Sequence, residues 1–410
     1  MRARYPGRSP RFDALPGAGR PGTGVPGGGG PMFPDPPGRI APSPGGFYPG
    51  RHPGPGPGSR APPWPQDVSC ASPSFRLPIV SDFREPLRFQ RVFLEKVWGG
   101  RALEKLGMEL PPDQPIGETW EIVDREGENS VVASGTHVGR TLEELVQKHP
   151  EPLLGLAKPN RQGRFPLLVK FIDAAQDLSV QVHPDDASAA RVGNGAEGKT
   201  EAWYIVDADP KATLYLGPEE GVEPEVLASA LGTADMVPLL KNYRARPGEA
   251  IGVPGGTVHA IGAGVTLLEV QQNSDTTFRI YDWGRLGLDG EPRETHLEEA
   301  RQVAQLDKRA PAPVPPRWRK EGTGVQRADM VLSPYFRMER WQQEREHRLR
   351  SDDQFRIVAV VEGGGFMATK NGREESLRPG DVVLLPADCD EVILEPGSNG
   401  LGWVRLDANC

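Results

Sequence analysis

The chain has 410 residues, with 48 Lys and Arg against 56 Asp and Glu and a net charge of −8. That length allows roughly two to three domains, and the acidic balance excludes a basic nucleic-acid platform. Hydrophobic residues make up 37%, and no run approaches the roughly 18 to 20 apolar residues of a membrane-spanning helix.

Residues 1–75 hold 19 Pro and 16 Gly with eight Arg and three Asp, so they carry about +5 and the remaining 335 residues about −13. They show no hydrophobic periodicity and cannot bury enough apolar surface to offset their ordering entropy, which predicts a disordered tail. Arg2 and Arg4 are followed by no apolar core, so a secretory signal is not expected. Cys70, Cys389 and Cys410 form no C-x-x-C pair and fit a reducing cytoplasm.

From 76 to 308, short apolar runs such as 165–172 and 178–182 lie between Gly, Pro, Asp and Asn, a strand-and-turn pattern. Two helical insertions interrupt it. Thr141 followed by Glu144 is a capping-box pattern, and 223–240 places Val226, Leu227, Leu231, Val237 and Leu240 at broadly helical spacing. Residues 309–329 begin with a Pro-rich run expected to be an extended connector. A second β unit is expected over 330–410, with strands near 355–361, 382–385 and 391–394.

Arg246-Pro247-Gly248-Glu249 recurs as Arg378-Pro379-Gly380-Asp381, and in both copies five residues separate the Gly from a Pro, Pro254 or Pro386. Strand, turn and strand surround each copy, as expected of two related β units. The first continues to His259, whereas the second has Glu391 at the equivalent place. On this reading only the first unit binds metal.

The polar chemistry gathers in three segments, 179–186, 198–203 and 254–262. On a strand, Ser179, Gln181 and His183 share one face while Val180 and Val182 share the other, and Lys199 stands beside Glu201. Imidazole and carboxylate donors suit a borderline divalent ion. Either His taken alone is more often a hydrogen-bonded structural or surface residue than a ligand.

Gly248, five residues, Pro254, one residue, Gly256, two residues, His259 matches the second metal-binding motif of the cupin superfamily. More narrowly, Gln181-Val182-His183-Pro184-Asp185, Lys199-Thr200-Glu201, Gly256-Thr257-Val258-His259-Ala260 and Ser274 to Arg285 resemble type I mannose-6-phosphate isomerase, or phosphomannose isomerase. Lys96 to Gly100 and Gly117 to Glu121 resemble signatures of its bacterial branch, in which Trp98 and Trp120 could shape a sugar pocket. The resemblance implies a mainly β fold with two cupin-type barrel or jelly-roll units. It further implies one zinc per chain held by Gln181, His183, Glu201 and His259. Arg279 falls on the family's catalytic Arg. Lys199 and Glu269 are implied as alternative proton-transfer groups, and Lys170 and Ser179 as phosphate contacts. Substrate would be a small sugar phosphate, mannose 6-phosphate and fructose 6-phosphate interconverting through a cis-enediol. No nucleic-acid or membrane partner is expected, and the protein is expected in the cytoplasm as a monomer or small homo-oligomer. A non-catalytic cupin binding sugar phosphate and an isomerase of another sugar are the competing readings.

Overall fold

A computed structural model describes residues 82–409. The disordered tail expected over 1–75, together with Cys70 and Cys410, lies outside the described residues. The fold is mainly β, as the sequence indicates. Its first half contains β1 (Val92–Gly100), β2 (Ile116–Ile122), β3 (Asp124–Arg125), β4 (Glu128–Asn129), β5 (Leu167–Ala174), β6 (Val180–Val182) and β7 (Glu201–Ala208). It continues through β8 (Thr213–Pro218), β9 (Leu240–Arg244), β10 (Ala250–Val253), β11 (His259–Ile261), β12 (Val265–Gln272) and β13 (Phe278–Tyr281). The second half contains β14 (Arg319–Gly322), β15 (Val325–Leu332), β16 (Phe336–Gln343), β17 (His347–Leu349), β18 (Arg356–Thr369), β19 (Glu374–Leu377), β20 (Val382–Leu385) and β21 (Val392–Ala408).

These strands form a six-stranded sheet ordered β1-β2-β5-β12-β7-β10, a five-stranded sheet ordered β13-β6-β11-β8-β9 and an eight-stranded sheet built by β14 to β21. The six-stranded sheet is covered on both faces, which is why β5 reads as an almost unbroken apolar run. Leu167, Val169 and Phe171 of β5, with Leu268 and Val270 of β12 and Ala202 and Tyr204 of β7, face a core that also contains Phe336, Phe355, Ile357 and Leu406 of the second half. The alternate residues, Ile172, Trp203, Ile205, Val265 and Leu267, face the other way. By the two-residue period, Lys170, Glu201 and Glu269 must share that second face.

Phe165 and Phe355 meet across the common core with ring centroids 4.6 Å apart, and both are fully buried. Phe355→Ala is therefore expected to cost about 3 to 5 kcal/mol and to lower the urea midpoint of one shared transition. Separate unfolding of the two halves would contradict a shared core.

Thr141 caps helix α1 (Leu142–Lys148), its hydroxyl accepting from the Glu144 amide. Four further short helices follow: α2 (Pro150–Leu154), α3 (Asp186–Val192), α4 (Pro224–Ala230) and α5 (Leu297–Val303). The helix expected over 223–240 is broken. After α4 the chain passes through Gly232 at φ +88° before a 3-10 turn over Ala234–Leu239, because left-handed backbone ends a helix. Within the segment read as a connector, Val314 bridges Ala250, while 319–322 and 325–332 are already β14 and β15.

The repeated motif has one geometry in both copies. Gly248 and Gly380 both lie at φ +88°, where an L side chain is strained. The Gly248 amide donates to Ile205 O and the Ile205 amide to Glu249 O; Gly380 donates to Val360 O and Val360 to Asp381 O. In register, Val253 faces Glu201 whereas Leu385 faces Arg356. The second unit thus carries a buried guanidinium, beside Asp407, where the first carries a carboxylate. Glu391, in the place of His259, pairs with Arg348 and Arg350.

Candidate metal centre and active site

Two rows of side chains converge between the six- and five-stranded sheets. On the smaller sheet Arg279, Gln181 and His259 are direct cross-strand neighbours. On the larger, Trp203, Glu269, Lys170 and Trp120 form a continuous row across β7, β12, β5 and β2. These rows line a cavity of about 290 Å³ that also includes Ser179, Lys199, Glu201 and Arg293.

At its floor, His183, Glu201 and His259 are buried and present donor atoms all within 4.8 Å of one another. His183 Nε2 lies 3.1 Å from Glu201 Oε1, and His259 Nε2 3.9 Å from Glu201 Oε2. The other ring nitrogens are spoken for: His183 Nδ1 lies 2.9 Å from Thr276 O, and His259 Nδ1 2.9 Å from Thr257 O. Since a carbonyl only accepts, each Nδ1 carries the proton and each Nε2 lone pair points at Glu201. That is the outer-shell arrangement typical of metal-ligating histidines. Burial lowers the proton affinity of both rings, His183 down to about 3 with help from the Lys199 ammonium. Burial would raise the Glu201 carboxyl, but the Lys199 ammonium holds it well below its ordinary value.

Two neutral imidazoles and an ionised carboxylate form a donor set suited to a divalent ion. Gln181 Nε2 stands 3.3 Å from His259 Nε2 and 3.5 Å from His183 Nε2, and Gln181 Oε1 accepts from Ser179. Ligation by Gln181 requires its amide to turn so that Oε1 replaces Nε2.

Above this floor sits a charged ladder. Lys199 lies 2.8 Å from Glu201, and Lys170 lies between Glu118 at 3.3 Å and Glu269 at 3.1 Å. Burial disfavours the Lys170 charge, yet Glu118 and Glu269 raise its affinity for the proton above the ordinary value. Glu118, opposed by burial, is brought down to about 2 by Lys170 and Lys96, with Trp120 donating to it at 2.8 Å. Glu269 moves the other way. Burial and the charge of Glu201 push it up to about 7, against Lys170, while Trp203 Nε1 donates to its Oε2 at 2.9 Å.

The expected ligands Gln181, His183, Glu201 and His259, with Arg279, Lys199, Glu269, Lys170 and Ser179, fall on the cavity wall or on the three-donor floor. Lys170 is buried in the site, and its ammonium is already shared by two carboxylates. Asp282-Trp283-Gly284-Arg285 is a turn: Trp283 and Gly284 lie at φ +59° and +72°, and the indole donates to Leu178 O at 2.8 Å. Glu118 carried a signal that sequence reading passed over, since it alternates with Trp120 on one strand face. Arg293 gave none, lying 14 residues beyond Arg279 in a loop without a motif.

Residues 87–222 match the family model for the phosphomannose isomerase type I catalytic domain, and 328–398 that for the mannose-6-phosphate isomerase cupin domain. Mannose-6-phosphate isomerase ManA of Bacillus subtilis is 37% identical over 314 residues, 76% of this chain and 96% of that protein. The chain belongs to the type I phosphomannose isomerase family. The mannose-6-phosphate isomerase of Streptococcus mutans is likewise 37% identical, over 74% of this chain and 92% of its own length. A crystal structure of the Bacillus subtilis mannose 6-phosphate isomerase superposes with a TM-score of 0.71 at 33% identity, covering 78% of this chain and 99% of that one. The two matched models fall one in each β unit. Among the described residues, no helix is long and apolar enough to cross a membrane.

Proposed function

We propose that the protein interconverts mannose 6-phosphate and fructose 6-phosphate in the cytoplasm, with one zinc ion held by Gln181, His183, Glu201 and His259. On this reading 76–308 is the catalytic unit, and 330–410 is a metal-free unit that covers the back of its larger sheet. The observation that carries the reading is a buried carboxyl poised near neutrality, Glu269, facing the same cavity as Arg279 and the three-donor floor.

Aldose–ketose isomerisation removes the proton from C2 of mannose 6-phosphate and delivers one to C1, with a compensating proton shift between the two oxygens. Glu269, ionised, takes the C2 proton and returns it at C1 of the cis-enediol. A group whose proton affinity matches the working pH is the efficient carrier. Lys199, the alternative, is engaged with Glu201, and its ammonium orients that carboxylate and adds positive charge beside the sugar oxygens. Arg279 faces the negative charge that develops on the enediolate, and the Trp120 and Trp203 rings exclude water from the row between them. A bound divalent ion supplies Lewis-acid polarisation of the sugar's oxygens.

The decisive measurement is fructose 6-phosphate formation by metal-loaded protein, with loss on chelation and recovery on adding zinc. Absence of turnover, while a relative assayed in parallel is active, would refute the reading. A second expectation follows from Glu269. Because its base form is required, kcat/KM should fall about tenfold per unit as pH drops below the Glu269 pKa, which burial raises above the ordinary carboxyl value, and Glu269→Gln should remove this acid limb together with the activity it describes. An acid limb that persists unchanged in Glu269→Gln would assign proton transfer elsewhere.

A further inference from the structure

Resting on the isomerase reading, we propose that Arg293 is the specificity-determining residue: steered by Asp282 to the solvent-facing end of the cavity beside Arg279, it receives the phosphate dianion and separates phosphorylated from free sugar.

Charge accounting across the cavity leads there. Lys170 is answered by Glu118 and Glu269, and Lys199 by Glu201. A dianion placed at Lys170 would meet two buried carboxylates, which argues against the phosphate role that the sequence resemblance implied for this residue. Around Arg279 the balance reverses. Arg279 donates through Nη1 to the Glu294 carbonyl at 2.7 Å, its Nε–H is buried without a partner, and among the described residues no carboxylate lies within ion-pair distance of it. Arg285 and Arg293 divide the single carboxylate of Asp282, at 2.8 and 3.3 Å. Three guanidiniums facing one buried carboxylate leave an excess that suits a phosphate monoester of about −1.5 to −2. Asp275 and Glu294, two further acids here, are exposed and therefore screened by water, and Glu118, already held by Lys170 and Lys96, is the smallest of the charges acting on Arg293.

Arg293 and Arg285 are not equivalent. Arg285 spends both Nε and Nη2 on Asp282 Oδ1 and does not line the cavity. Arg293 touches Asp282 through Nη1 alone and lines the cavity, so Nε and Nη2 keep the planar fork that a phosphate accepts. Its position is fixed from the next strand. The Arg279 amide donates to His296 Nδ1 at 3.2 Å, and the His296 amide to Arg279 O at 2.8 Å. The loop returning to Arg293 is thus pinned to the strand that carries the catalytic Arg.

The test compares metal-loaded wild type with Arg293→Ala, Arg293→Lys and Arg285→Ala. Three readouts are taken: kcat and KM on mannose 6-phosphate, the rate on free mannose, and binding of inorganic phosphate by ³¹P line broadening. Arg293→Ala should raise KM for the phosphorylated sugar on the order of 100-fold, shrink the preference for mannose 6-phosphate over free mannose, and abolish phosphate binding. Arg293→Lys should restore part of both losses, and Arg285→Ala should still bind phosphate. Unchanged phosphate binding and an unchanged preference for phosphorylated sugar in Arg293→Ala would overturn the assignment. The lysine variant decides the matter if the alanine variant does not fold. Should wild type turn over neither sugar, the isomerase reading fails, whereas the ³¹P comparison still judges Arg293.

Discussion

Replacing His259 with alanine is expected to strip the protein of tightly held metal and to lower fructose 6-phosphate formation by about a thousandfold or more. The expectation comes from how completely the imidazole is prepared. β11 begins at His259, so its backbone is fixed by pairing with Gln181 on one side and Leu216 on the other. Thr257 O holds Nδ1–H, burial keeps the ring neutral, and the Nε2 lone pair is left to face Glu201. Without it only His183 and Glu201 remain as strong donors, with Gln181 a neutral amide. Metal analysis after gel filtration, beside the isomerase assay and a thermal melt, checks the prediction. A folded variant that retains about one metal per chain and wild-type turnover would remove His259 from the ligand set.

Part of this site was legible in the sequence because strand geometry is rigid, while Arg279, Glu269 and Lys170 and the complete ligand set were reached only through the family resemblance. The two-residue alternation that grouped Ser179, Gln181 and His183 on one face survives in β6, since Val180 and Val182 are claimed by a separate apolar core. The Arg-Pro-Gly repeat was legible for the same reason: a left-handed Gly, one turn and one strand leave little freedom. What one sequence could not convey is the company each charge keeps. Lys170 looks like an ammonium free to meet phosphate until β2 brings Glu118, 52 residues earlier, to within 3.3 Å. Long-range pairing across a sheet sets that neighbourhood, and no local pattern encodes it. The broken helix near Gly232 is a smaller failure of the same kind. Broadly helical spacing was satisfied by two short elements folding separately, with the left-handed Gly as the overlooked breaker.

Arg279→Ala should separate chemistry from metal binding. The variant is expected to keep its metal, because no atom of Arg279 touches the three-donor cluster and Gln181 stands between Arg279 and His259 in the strand register. It is expected to lose about 100- to 1000-fold in kcat, the scale on which removal of a charge-stabilising donor acts. The physical ground is the state of the guanidinium. Burial, and then Arg293, oppose its positive charge, and its Nε–H is buried with nothing to bond. A cation held in this way is under-compensated in the free protein, and negative charge arising on an enediolate in the same cavity relieves it, so the interaction strengthens toward the transition state. Arg279→Lys should recover little, because a compact ammonium cannot both hold the Glu294 carbonyl and present a second donor in the same plane. The discriminating result is a drop in kcat larger than any rise in KM, with metal content unchanged. A rise in KM alone would make Arg279 a second phosphate group beside Arg293 rather than a partner of the reacting carbons.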